Sequence, residues 1–206
     1  MMVIHQYHSY WNHNTAYFSW ISRHLSDTKQ RVLDVGCGDG SLALYLAKQG
    51  HTVVGLDSFA PCILRAEESA KEQKNLRFYH SYFENFVADE RFDAVVFVAS
   101  LHHMDMSAAI QKAISLLKPN GQLLIVGLAK PATIMDWLIE AGRVIPVKLS
   151  RFKHHMLSSE AIGLPVLYDY PSMKAVRQLL KAELKGAKLK QGLYCRYLLS
   201  WRKNRD

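Results

Sequence analysis

Along the chain, short runs of apolar residues alternate with longer stretches in which apolar positions recur every three or four residues. The runs Arg31–Val35, His51–Leu56, Leu76–His80, Phe92–Val98 and Gln122–Leu128 are rich in Val, Leu and Phe, which predicts buried strands. Ser41–Gln49, Cys62–Glu72 and Ser107–Leu117 have helical spacing, and Gly50 and the Lys118-Pro119-Asn120-Gly121 turn stop two of them. Strand and helix in this alternation predict an α/β fold, a doubly wound Rossmann-like sheet covered on both faces.

After the fifth run the rhythm changes. Residues 131–170 are longer than a simple connection needs, carry a predicted helix over Ile134–Ala141, and read as an insertion over the ligand-bearing edge of the sheet. There Met135, Trp137, Ile139, Phe152 and Met156 mix with Arg143, Arg151, Lys153, His154 and His155, a composition that suits a ligand pocket with an apolar body and a cationic rim, or apolar residues that only seal the sheet edge beside solvated cations. Ser172–Leu184 is an amphipathic helix, and Ala187–Gln191 and Leu193–Lys203 around Gly192 predict a terminal antiparallel hairpin that completes seven strands. The whole, residues 1–206, reads as a single domain.

Composition narrows the class. With 206 residues, 49% hydrophobic and 21% charged, the chain is neither disordered nor fibrous. No apolar run reaches the length of a membrane span and Met1 to Ser9 lack a leader's apolar stretch, so a soluble, cytoplasmic protein with no membrane partner is expected. Three scattered cysteines, Cys37, Cys62 and Cys195, form no C-x-x-C pair, so reduced thiols and no metal site are expected. The net charge of +8 is lopsided: residues 1–142 hold 12 Lys and Arg against 14 Asp and Glu, residues 143–206 hold 14 against 4. A basic surface of this kind either is solvated or meets an anion, RNA included.

The most specific motif is Asp34-Val35-Gly36-Cys37-Gly38-Asp39-Gly40, between the first strand and the first helix of the sheet. Glycines there let the backbone turn sharply and come close to a ligand. The spacing is G-x-G-x-G instead of the G-x-G-x-x-G of dinucleotide binders, and Asp34 would repel a pyrophosphate while favouring an ammonium group. Asp57, at the end of the second strand, stands where nucleoside-binding folds place an acid on the ribose hydroxyls. A nucleoside with a cationic amino-acid tail satisfies both. The bland alternatives are that Asp34 caps a helix and Asp57 opens an Asx-turn.

With VLDVGCGDG, VVGLD, FDAVVFVASLHHMD, LLKPNGQLLIVGL and the terminal LYCRYLLSWRK, preceded by Trp11-Asn12-His13-Asn14 and Tyr17, the sequence resembles the class I S-adenosylmethionine-dependent methyltransferases. The resemblance implies the family sheet with its seventh strand inserted antiparallel, S-adenosylmethionine as cofactor and S-adenosylhomocysteine as product. It implies cofactor contacts at Asp34, Gly36, Cys37, Gly38, Asp57, Ser58, Val98 and Ala99, and near the adenine at Tyr82 and Phe83. The Asp that many relatives carry after the third strand is replaced by Ser81-Tyr82-Phe83-Glu84. It also implies that residues 1–28 form a helical lid, with His13 and Tyr17 four apart on one helix face over the cofactor.

His102 and His103 follow the fourth strand and are the candidates for a general base; the alternative is that one merely caps the helix after Asp105. Because an activated methyl donor asks mainly for orientation, a base is not obligatory. The expected activity is methyl transfer to a small-molecule acceptor. RNA is the alternative acceptor, disfavoured because residues 99–104 lack the N-P-P-Y-like signature of nucleic-acid amino methyltransferases. A cofactor-binding protein without turnover and, more distantly, a dehydrogenase complete the alternatives, and the oligomeric state is left open.

Overall fold

The computed structural model describes residues 13–25, 28–130, 170–193 and 195–205. In chain order it has α1 (Phe18–His24), β1 (Arg31–Val35), α2 (Ser41–Lys48), β2 (Thr52–Asp57), α3 (Ala60–Ser69), β3 (Leu76–His80), β4 (Phe92–Val98), α4 (Met106–Leu116), β5 (Leu117–Leu128), α5 (Met173–Glu183), β6 (Lys188–Gln191) and β7 (Arg196–Arg202). The strands form one sheet in the order β3-β2-β1-β4-β5-β7-β6. β1 to β5 are mutually parallel, and β7 lies antiparallel between β5 and β6.

Period-two alternation explains why the sheet is covered on both faces. Leu33, Val35, Val95, Phe97, Leu123 and Ile125 point to one side, where Ile110 and Ala113 of α4 and Val176 and Leu180 of α5 complete a core. Their neighbours Val32, Ala94, Val96, Leu124 and Val126 point to the other, against Ile21 of α1 and Leu42 and Leu46 of α2. Each helix therefore turns an apolar stripe to the sheet, with Leu64 of α3 exposed on the opposite side.

Several boundaries move, most by one residue and the start of β7 by three, from Leu193 to Arg196. β5 starts at Leu117, which pairs with Phe92, and the ladder then shifts register before Gln122 meets Ala94; Asn120, at φ +61°, takes the left-handed turn that the sequence signalled. α3 starts at Ala60 because Pro61 is tolerated in a first turn, where its missing N–H has no intrahelical partner. The predicted helix Ile134–Ala141 and the pair His154-His155 lie outside the described residues.

The strand order reverses between β1 and β4, so the loops after these two strands splay apart and leave a crevice at their carboxyl ends. That crevice holds the candidate site.

Candidate active site

A cavity of about 870 Å³ opens over the carboxyl ends of β1, β2 and β4, near the top of the range of roughly 300–1,000 Å³ for small-molecule sites. At one end the chain leaves β1 through Gly36, Gly38 and Gly40, all with φ between +56° and +76°. Gly36 is held by its N–H donating to the Leu56 carbonyl at 2.7 Å, and a Cβ there would stand 2.3 Å from that of Ser100. Only glycine satisfies both the left-handed backbone and this approach. The loop then enters α2, with Asp39 Oδ1 accepting from the Ser41 hydroxyl at 2.7 Å.

Asp57 binds this loop to β2. Gly38 N–H donates to its Oδ2 at 2.9 Å and Phe59 N–H to its Oδ1 at 2.8 Å, the second bond being the Asx-turn that the sequence allows. A carboxylate has about four acceptor positions, so two backbone bonds leave capacity for a ligand. Asp34 differs. It is 1% exposed, lines the cavity, and its Oδ2 accepts no hydrogen bond. Burial, followed by the repulsion of Asp57 and Asp39, pushes its carboxyl up to about 7. It does not cap a helix; it is a buried acid awaiting a donor.

Cys37, Ser58, Val98, Ala99 and His13 also line the cavity. Ala99 sits at φ +52°, a conformation held against its cost by its N–H donating to Val126 O at 2.8 Å. Burial raises the Cys37 thiol well above its ordinary range, so it is a neutral lining group and not a nucleophile.

Two pairs named from the sequence divide. Tyr82 is exposed at the cavity lip, whereas Phe83 is buried with its ring edge-on to Phe97 at 5.6 Å and faces the cavity only in part. His13 lines the cavity, but Tyr17 does not. Its ring is buried beside α2 and its hydroxyl donates to the Leu193 carbonyl at 2.8 Å, so it ties the N-terminal segment to the turn before β7. His13 precedes a single 3-10 turn, Thr15–Tyr17, so the two do not share one continuous helix face.

The other end of the cavity is bounded by the 3-10 turn Leu101–His103, by Leu128 and Tyr170, by Asn14 and Phe18 of the N-terminal segment, and by Cys195 and Arg196. His102 meets Tyr170 edge-on, ring centroids 5.2 Å apart, and its Nδ1 has no hydrogen-bond partner. Burial, then the adjacent His103 and the Arg196 charge, push it down to about 4, so it is neutral over the physiological range. His103 is exposed and is lowered by burial as well. Neither caps α4: Asp105 does, accepting from Ala108 N–H at 2.8 Å.

Sequence reasoning did not single out Arg196, which the structure brings to the cavity wall. The available signal is a cation placed directly ahead of the apolar run Tyr197-Leu198-Leu199 in the strand Arg196–Arg202. The insertion residues proposed to wall the acceptor pocket, among them Arg151, Lys153 and His154, lie outside the described residues; only Tyr170, at the segment's end, is seen lining the cavity. Among the described residues, no helix is long and apolar enough to cross a membrane, and no three His, Cys, Asp or Glu side chains cluster as metal ligands.

A family model described as a methyltransferase domain matches residues 32–121. The chain is 30% identical over 201 residues to an uncharacterised methyltransferase of Mycobacterium bovis, covering 93% of this chain and 96% of the relative. It is 34% identical to the ubiquinone biosynthesis O-methyltransferase of Rickettsia akari over 54% of this chain and 43% of the relative. Among solved structures it resembles the 1,6-didemethyltoxoflavin-N1-methyltransferase of Burkholderia thailandensis, with S-adenosylhomocysteine and 1,6-didemethyltoxoflavin bound, at a TM-score of 0.63 and 20% identity over 92% of this chain and 77% of that one. The N-methyltransferase NodS of Bradyrhizobium japonicum WM9 with S-adenosylhomocysteine gives 0.62 and 19% over 92% and 86%.

Proposed function

The chain belongs to the class I S-adenosylmethionine-dependent methyltransferases, and on that premise we propose that it methylates a small-molecule acceptor held in the same cavity as the cofactor. The observation that carries this reading is a single cavity of about 870 Å³ whose lining includes Phe18, Leu128, Tyr170 and His102 as well as Asp34 and Asp57. A half-open cleft lined in part by aromatic and aliphatic side chains suits a small organic molecule. The Rickettsia relative, named for ubiquinone biosynthesis, and the fold neighbour holding 1,6-didemethyltoxoflavin are consistent with it.

The residues fit the cofactor. S-adenosylmethionine supplies a methyl group on a positively charged sulfur, an electrophile that needs no further activation. The orphaned Oδ2 of Asp34 meets the ammonium of its amino-acid tail, and the free acceptor positions of Asp57 take the ribose hydroxyls. Gly36, Cys37 and Gly38 offer close backbone approach, while Ser58, Val98, Ala99 and Tyr82 flank the nucleoside. Residues 13–18, represented in the wall by His13, Asn14, Thr15 and Phe18, act as a cover over the cofactor, and Tyr17 anchors it through Leu193. Neutral His102 is available to accept a hydrogen bond from an acceptor hydroxyl or amine and so to orient it, its lowered basicity making it a weak proton acceptor.

Asp57→Ala is expected to weaken S-adenosylhomocysteine by about 1–3 kcal/mol, the range for hydrogen bonds to a charged group together with loosening of the loop. Calorimetry checks it. An unchanged affinity removes Asp57 from the ribose site.

One observation favours a second reading. Lys174, Arg177 and Lys181 stand exposed on α5, three and four residues apart on one helix face, within the basic third of the chain. Such a stripe attracts polyanions, and RNA is the acceptor it would bring.

A further inference from the structure

The two edges of the sheet are built differently. At one end β6 leaves Lys188 and Lys190 exposed, and lysines on an edge strand keep other strands away. At the other end β3, Leu76-Arg77-Phe78-Tyr79-His80, has no lysine, proline or bulge to guard it and pairs with β2 alone. The connection from β3 to β4 makes one 3-10 turn, Phe83–Asn85, where a βαβ unit ordinarily carries a covering helix. Large apolar groups stay in water there. Tyr79 is 40% exposed, its ring 5.8 Å from that of Phe86, and Val87 follows at 86%. On the opposite face a groove runs along the outer side of β3, bordered by Glu67 and Ala70 at the end of α3.

The backbone of this edge is open as well. In a parallel pair, alternate residues of a strand bond to the neighbour. Val53 N–H donates to the Asn75 carbonyl and Ser81 N–H to that of Asp57, so residues 75, 77, 79 and 81 face β2, while Phe78 and His80 turn their N–H and C=O groups outward. Side chains alternate too, and Arg77 and Tyr79 therefore share the face that carries Phe86. Arg77 is exposed and makes no ion pair among the described residues.

We propose that a second copy of this chain docks on this edge, β3 against β3 in antiparallel register about a two-fold axis through Phe78. The strand is self-complementary in that register. Phe78 stands opposite its own copy, and the outward N–H and C=O groups of the two exchange both hydrogen bonds. Arg77 of each protomer then stands opposite Tyr79 of the other, in the close, non-hydrogen-bonded kind of pair with about 4.5 Å between Cα atoms. A guanidinium thus meets a phenol ring twice, once on each side of the axis. A centre on Arg77 or Tyr79 would turn toward the partner groups already bonded to β2, which leaves Phe78 as the middle of this five-residue strand. α3 touches both β2 and β3, so its copy would lie about two strand spacings away, roughly 10 Å, the ordinary distance between packed helices.

Sedimentation of the full chain over a range of micromolar concentrations tests this. Wild type is expected to reach twice the 23.5 kDa of one chain. Tyr79→Lys, which sets a lysine opposite Arg77 across the axis, is expected to weaken the dimer about 10- to 100-fold through two lost ring contacts and two like-charge pairs. A wild type that stays at the mass of one chain overturns the proposal and leaves the edge to a strand of some other protein. A dimer that Tyr79→Lys leaves intact overturns it as well. If Tyr79→Lys does not fold by circular dichroism, cysteines decide: Arg77→Cys protein mixed with Tyr79→Cys protein under oxidised glutathione is expected to give a disulfide-linked pair, while Arg77→Cys alone gives none beyond the wild-type background. Failure of the mixture to link, or equal linking by Arg77→Cys alone, overturns the register and with it the assignment.

Discussion

Asp34→Asn is expected to weaken S-adenosylmethionine by about 2–4 kcal/mol, roughly 30- to 1,000-fold, while making the free protein more stable at pH 8. Both effects follow from one buried acid. With its carboxyl raised from 3.8 to about 7, folded Asp34 retains a proton that the unfolded chain has lost between about pH 4 and 7. The folded state binds more protons there, so its stability falls as pH rises through this window and stays lowered above it. Asn removes the charge that is buried and repelled by Asp57 and Asp39. The cofactor's ammonium stabilises the ionised form, so binding below about pH 7 releases a proton and the affinity drops about tenfold per pH unit on acidification. Calorimetry between pH 5.5 and 7 in buffers of different ionisation enthalpy measures the released proton. A flat affinity in wild type, or a wild-type pH dependence retained in Asp34→Asn, contradicts the assignment of Asp34.

Gly127→Ala is expected to destabilise the fold by about 3 kcal/mol or more, at the upper end for overpacking in a well-packed core. Gly127 pairs with Tyr197 across the antiparallel β5–β7 ladder, and a Cβ would stand 2.1 Å from Cζ of that ring. Tyr197 is 1% exposed, and its burial carries the phenol above its ordinary range. It has nowhere to move, and β5 is held on its other side by β4. Thermal unfolding should fall by roughly 6–12 °C, at about 2–4 °C per kcal/mol for a chain of this size. Tyr197→Leu in the same chain should recover part of the loss, because the two substitutions act through one contact. A near-neutral Gly127→Ala would mean a slipped register, with another residue opposite, and so a different position for Arg196, one residue along.

Why the sheet was readable and parts of the site were not comes down to the range of the interactions. β1, β2, β4 and the second half of β5 are buried on both faces, so they stand out as largely apolar runs, whereas the edge strand β3 buries little beyond Leu76, and the strand order follows from βαβ units closed by nearby glycines. The loop chemistry is equally local: Asp34, Gly36, Gly38 and Asp57 occupy strand ends whose position the runs themselves mark. Arg196 reaches the cavity through pairing with a strand about seventy residues earlier and through a left-handed Cys195, neither of which leaves a periodic trace. Tyr17 is lost to the cavity for a similar reason, a hydrogen bond to a carbonyl 176 residues away. Tyr82 and Phe83 are adjacent aromatics with nothing local to distinguish them; a ring on the far strand, Phe97, decides which is buried.

The acceptor is where the account is most exposed to a direct measurement. The purified protein is supplied with S-adenosylmethionine labelled in its methyl group and, in parallel, with the low-molecular-mass filtrate and the RNA fraction of one bacterial extract. The account predicts that label appears in the filtrate as a small-molecule product, that RNA takes up none, and that Asp57→Ala lowers the transfer when S-adenosylmethionine is limiting. Label carried by RNA, with none in the filtrate, contradicts it and returns the basic face of α5 to the centre of the protein's function.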